Sequence, residues 1–164
     1  MRPAAALAAA LGLAVALAGC SSAPADPASD DSPQQTQSAL VALLDEAQQT
    51  AGGTWDVQDS PSPDPCELPG SGDEGVTFTG QRTLDAGLDE DALRAVADLL
   101  ESEGFEVGRA AVGRSENVRG VMPGNQAFFV LLESGDTVAT LSGQAACVPG
   151  DAYDELQKLR NNGE

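Results

Sequence analysis

Arginines set among many acids, three cysteines and a complete lack of histidine define the chemistry open to this 164-residue chain. Arg109, Arg114 and Arg119 fall in residues 105–125, where only Glu106 and Glu116 oppose them. That stretch is net positive in a chain whose formal charge is −18. A guanidinium grips carboxylate or phosphate in a bidentate way. The three arginines are therefore expected to contact an anionic ligand or an acidic partner surface. The competing use is pairing with the chain's own acids, which outnumber its cations 26 to 8.

Most catalytic chemistries lack their parts. Without histidine there is no Ser-His-Asp or Cys-His arrangement, and the commonest transition-metal ligand is missing. Three cysteines are too few for a Cys/His zinc site. The serines have no Gly-X-Ser-X-Gly setting, and no Walker or dinucleotide loop occurs. Lys158, the only lysine, falls at a helix end, a poor place for a base with a lowered pKa. Asp89-Glu90-Asp91 offers oxygens to calcium, but its spacing is that of a helix start and not of an EF-hand loop. Paired carboxylates could do acid–base work without histidine, and no pair stands out. No metal, no cofactor and no catalytic residue is expected. The acidic balance also opposes binding to nucleic acid, which needs a basic footprint, and to anionic lipid headgroups.

Cys20 closes the sequence Leu17-Ala18-Gly19-Cys20 at the end of an apolar run, Ala4 to Ala16, preceded by Met1-Arg2. A positive start, a short apolar stretch and small residues before a cut read as a secretory signal. The run is short for a membrane span, which takes about 20 apolar residues. The stretch resembles the lipobox of bacterial lipoprotein precursors. That resemblance implies a diacylglyceryl group on Cys20, cleavage before it, and anchoring to the outer, extracytoplasmic face of the cell membrane. Two acyl chains suffice for stable attachment. Lipidation takes Cys20 out of the thiol count and leaves Cys66 and Cys147 to pair with each other.

The elements that carry these groups are legible in outline. Residues 1–19 are expected as signal peptide, 20–32 as lipidated N-terminus and flexible tether, and 33–160 as a single globular domain. The tether (SSAPADPASDDS) has no apolar periodicity, and fully extended it would span about 37 Å. A helix is predicted over 33–50, with Ser32 as N-cap, Pro33 in the first turn and Gln35 completing a capping box. A short strand follows at 54–58, where Trp55 is expected as a core anchor. Residues 59–74, rich in proline, are expected to be loop. Val76, Phe78 and Gly80 alternate as a half-buried strand does. A second helix is predicted over 90–102, capped by Asp89, stapled by Leu88 and Leu93, and ended by Gly104 and Phe105 in a Schellman motif. Strands at 105–112, 117–122, 126–133 and 137–146 should form a meander, the third (AFFVLL) covered on both faces. A last helix over 151–160 should dock through Tyr153, Leu156 and Leu159. The order α-β-β-α-β-β-β-β-α gives an α+β fold, an antiparallel sheet with helices mainly on one face.

Gly52-Gly53-Thr54-Trp55, Asp59-Ser60-Pro61, Cys66, Gly104-Phe105 and Cys147-Val148-Pro149-Gly150 together resemble a group of small actinobacterial lipoproteins with a GGxW…DxP…C start and a CxPG close. The resemblance implies an architecture, a location and the pair Cys66–Cys147, and it carries no catalytic residues. The expected function is that of a membrane-anchored extracytoplasmic lipoprotein. Its domain would be a non-catalytic binding or accessory module for an envelope protein or cell-wall ligand. The alternative is a carboxylate-based enzyme acting on cell-wall material.

Overall fold

The computed structural model describes residues 31–60 and 62–162. The signal segment, Cys20 and the tether up to residue 30 lie outside the described residues.

Helix α1 (Pro33–Ala51) starts where its cap requires. The Ser32 hydroxyl accepts from the Gln35 backbone N–H, and the Gln35 side chain accepts from the Ser32 N–H at 2.8 Å. Its stripe of Leu40, Leu43, Leu44 and Ala47 is buried. Strands β1 (Asp56–Val57), β2 (Asp64–Glu67), β3 (Glu74–Thr77) and β4 (Thr79–Leu84) follow. Trp55, just before β1, is half-buried against the core and donates its indole N–H to the Gly52 carbonyl at 2.7 Å.

Helix α2 (Glu90–Ser102) is capped by Asp89, which accepts from the Ala92 N–H. It closes in the expected Schellman motif. Phe105 N–H donates to Leu100 C=O and Gly104 N–H to Glu101 C=O, with Gly104 at φ +89°, which only glycine adopts freely. Then come β5 (Glu106–Val112), β6 (Ser115–Met122), β7 (Asn125–Ser134), β8 (Ala139–Gln144), β9 (Val148–Pro149) and α3 (Ala152–Asn162).

The fold is α+β, and every strand pairing is antiparallel. Six strands form one sheet in the order β1-β4-β8-β7-β6-β5, and β2-β3-β9 form a second. Helices α1 and α2 pack side by side on one face of the larger sheet, α1 over β4 and β8 and α2 over β6 and β5. Val118, Val130, Leu132 and Leu141 meet Leu40, Leu44, Val96 and Leu100 there, all at most 1 % exposed. Phe105 and Phe128 pack edge to face at 5.0 Å in the same layer. Cys66 on β2 is disulfide-bonded to Cys147 beside β9, with Cα atoms 6.0 Å apart.

Four features differ from expectation. The proline-rich segment holds β2, with Pro65 opposite Val76. β2 is an edge strand, where a missing N–H costs no ladder bond. The single strand expected around Val76–Gly80 is two, because the chain crosses at Phe78 from the small sheet to the large one. The AFFVLL strand is not covered on both faces: Val130 and Leu132 are buried under the helices, whereas Phe129 and Leu131, on the opposite face, are half-buried with no helix over them among the described residues. Finally, Tyr153 is 68 % and Leu159 39 % exposed, so neither docks α3. Glu155 does so. Its carboxylate, 7 % exposed as a residue, accepts from the Gln34 side chain of α1 at 2.7 Å and from Lys158.

Candidate functional site at the open sheet face

The face of the six-stranded sheet turned away from α1 and α2 carries a concavity of about 530 Å³ at its β5–β6–β7 corner. Strand register determines what lies in it. Gly108 pairs with Arg119 and Arg119 with Leu131, so these three share one row across the outer face. Ala110 and Asn117 form the neighbouring row on one side, and Glu106 and Val121 the row on the other. Gly108 and Ala110 add little bulk, so the surface dips between β5 and the taller side chains of β6 and β7. The lining mixes apolar Val121, Leu131 and Ala110 with two cations, Arg109 and Arg119, one amide and one carboxylate.

Arg119 is exposed, and its guanidinium carbon lies 5.7 Å from the centre of the Phe129 ring, within cation–π range. It makes no ion pair among the described residues. Asn117 Oδ1 is buried without a hydrogen-bond partner among them.

The other two arginines are placed differently, and the three do not form one patch. Arg109 pairs in register with Val118, so its side chain leaves β5 on the helix face. There the two terminal guanidinium nitrogens grip Glu90, at 2.9 Å each. The hydrogen bond from Arg109 holds the Glu90 carboxyl below its ordinary value of 4.5, helped by the charges of Arg109 and Arg94, and the same bond raises Arg109. Arg109 also lines the concavity, beside Arg119, with its guanidinium held by Glu90. Arg114, in the turn between β5 and β6, is 90 % exposed and 3.8 Å from Asp136. Of the trio, Arg119 alone makes no ion pair among the described residues.

The acids at the start of α2 serve the helix. Asp89 caps it, and Glu90 and Asp91 pair with Arg94. Among the described residues no group of three or more acids and cysteines stands close enough to hold a metal ion. The lining of the concavity includes a single carboxylate, Glu106. Sequence reasoning picked out Arg119 and missed Gly108, Asn117, Phe129 and Leu131. The signal for the last two was present: AFFVLL is apolar at both parities, so one parity had to face either a second layer or an apolar surface.

No protein-family model matches the chain, and no curated protein matches it. It is similar to a solved structure. That structure is a crystal structure of a DUF4853 family protein from Actinomyces odontolyticus, with a TM-score of 0.51 and 14 % identity over 73 % of this chain and 67 % of the other. At that identity the likeness is one of fold alone.

Proposed function

We propose that the chain is a lipoprotein held through a lipid on Cys20 at the extracytoplasmic face of the membrane, with a domain that binds a partner or ligand of the cell envelope and carries out no reaction of its own. The binding surface is the open β5–β6–β7 corner. The observation that carries this reading is Arg119: exposed, stacked on Phe129, flanked by apolar Leu131 and Val121, and unpaired in an acidic chain whose other buried or edge arginines are tied to internal carboxylates. No helix among the described residues is long and apolar enough to cross a membrane. A two-carboxylate enzyme needs a facing pair about 5–10 Å apart, and Glu106 is the only acid lining the concavity.

The test is photo-crosslinking on intact cells with p-benzoylphenylalanine in place of Leu131, and separately in place of exposed Tyr153. One protein or glycan recovered from position 131 and absent from position 153 supports the open face as the binding surface. Equal recovery from both positions rejects it. For the anchor, Cys20→Ser should move the chain from the membrane fraction to the medium. A Cys20→Ser chain that stays in the membrane fraction removes the lipid from the account.

A further inference from the structure

The two edges of the six-stranded sheet are unlike. At one end β1 is only two residues long. At the other β5 runs seven residues without proline, and every side chain but Val107 is exposed. A long open edge is a template for another strand, which sheets usually guard against by shortening, proline or bulges.

The hairpin geometry shows which backbone groups are offered. β5 and β6 are joined by the two-residue turn Gly113-Arg114, with Val112 opposite Ser115 and Gly113 at φ +67°, the first position of a hairpin turn that favours glycine. In such a hairpin the pair flanking the turn is hydrogen-bonded, and bonded pairs alternate along the ladder. Val112, Ala110, Gly108 and Glu106 therefore bond to β6. The N–H and C=O groups of Val107, Arg109 and Ala111 point away from the sheet at the spacing of an antiparallel ladder.

The outer face beside this edge is cut down to the backbone. A Cβ placed on Gly108 would meet nothing within 4 Å. Directly across Gly108 stands Arg119. A side chain on an added strand, placed opposite Gly108, passes over the glycine and arrives at the unpaired guanidinium.

We propose that β5 accepts an extended acidic segment of a partner protein as a seventh strand, with a carboxylate reaching over Gly108 to Arg119. The inference rests on the open face being the binding surface, and it names the partner's chemistry. Charge selects the occupant: the corner is the basic part of a chain that is −18 overall, and a short acidic segment brings its charge to that corner alone. A second copy fits less well. Self-pairing over the full length of β5 centres on Arg109 and sets two arginines directly opposite each other, and it brings two strongly acidic bodies together.

The experiment pans phage-displayed random dodecapeptides on the full-length chain in mild detergent, then measures binding of the enriched peptides to three variants. Ala111→Pro removes an edge-facing N–H that the β6 ladder does not use. Arg119→Gln removes the charge, and Gly108→Leu fills the open notch, so loss of fold in one variant leaves two others to report. The expected result is enrichment of peptides with Asp or Glu at alternate positions and no central proline. Their affinity should fall at least tenfold for each variant, with the unfolding midpoint by Trp55 fluorescence unchanged. Peptides sensitive to Arg119→Gln and indifferent to Ala111→Pro would keep the open face as the site and overturn strand addition. Peptides indifferent to both, or no enrichment, would overturn the proposal and count against the open face as well. A dimer in sedimentation that dissociates on Ala111→Pro would assign the edge to a second copy instead.

Discussion

Arg82 should be the single most costly polar side chain to remove. It sits on β4, between β1 and β8, with its side chain 0 % exposed on the helix face of the sheet. Its Nε donates to the Gln48 side chain at 3.0 Å, one Nη to Asp45 at 2.9 Å and the other to Asp59. The partners are unequal: the Asp45 side chain is 46 % exposed and that of Asp59 22 %. The cation is fully out of water while its anions sit at the margin. Arg82→Ala leaves a void under α1 and takes the partner from Asp59 and Gln48, so the expected loss is that of breaking a buried pair, about 3–5 kcal/mol. In a domain of this size that corresponds to a fall in Tm of about 10–20 °C. Asp45→Ala should cost no more than about 1 kcal/mol, because water already screens that carboxylate. Asp59→Ala should fall between, at about 2 kcal/mol, since Arg82 keeps Asp45 and Gln48. Arg82→Met keeps the stem's volume and should recover part of the loss. Urea unfolding of the full-length chain reports all four, read through Trp55, the only tryptophan. An Arg82→Ala loss below 1 kcal/mol, or an Asp45→Ala loss equal to it, would refute the reasoning.

Two further predictions follow from the cross-link and the ion pairs. The Cys66–Cys147 bond closes a separation of 81 residues, so on the chain-entropy account Cys66→Ala with Cys147→Ala should lower stability by up to about 4.5 kcal/mol. The native protein should show no titratable thiol at these positions when denatured without reductant, and two free thiols would contradict the bond. The Glu90–Arg109 pair lowers the folded carboxyl's pKa, so it stabilises above the unfolded value and the gain is lost as pH falls through the folded one. An NMR titration of the Glu90 carboxyl in Arg109→Gln should move its midpoint up toward 4.5, and an unmoved midpoint would break the link.

Local signals survived folding where their physics is local. The capping box at Ser32 and Gln35, the Asp89 cap and the Schellman close at Gly104–Phe105 each involve residues within six positions of one another, and each forms as its sequence implies. Cys66 and Cys147 were legible for a different reason: setting Cys20 aside left one pairing. The failures are tertiary. Prolines 63 and 65 argue against a ladder only if the strand is internal, and nothing near them in sequence says that β2 lies at an edge. Tyr153 and Leu159 have the character of docking residues, yet α3 is held by Glu155 reaching Gln34, a contact spanning 121 positions.

The arginines show why composition located a basic stretch and could not say what it does. Arg109 and Arg119 are ten residues apart on adjacent strands of one hairpin, and only the register decides their faces. With Val112 opposite Ser115, Arg109 falls beside Val118 and turns under the sheet to Glu90, while Arg119 falls beside Gly108 and turns out over Phe129. A slip of one residue would turn one strand over relative to the other and put both arginines on one face. The turn Gly113-Arg114 sets that register, and with it which arginine the fold keeps for itself and which it leaves for something outside. The same register places the one side-chain-free position of β5 in front of the free guanidinium. Charge, space and open backbone therefore coincide at one corner because of a two-residue turn, and that corner is where binding should be sought.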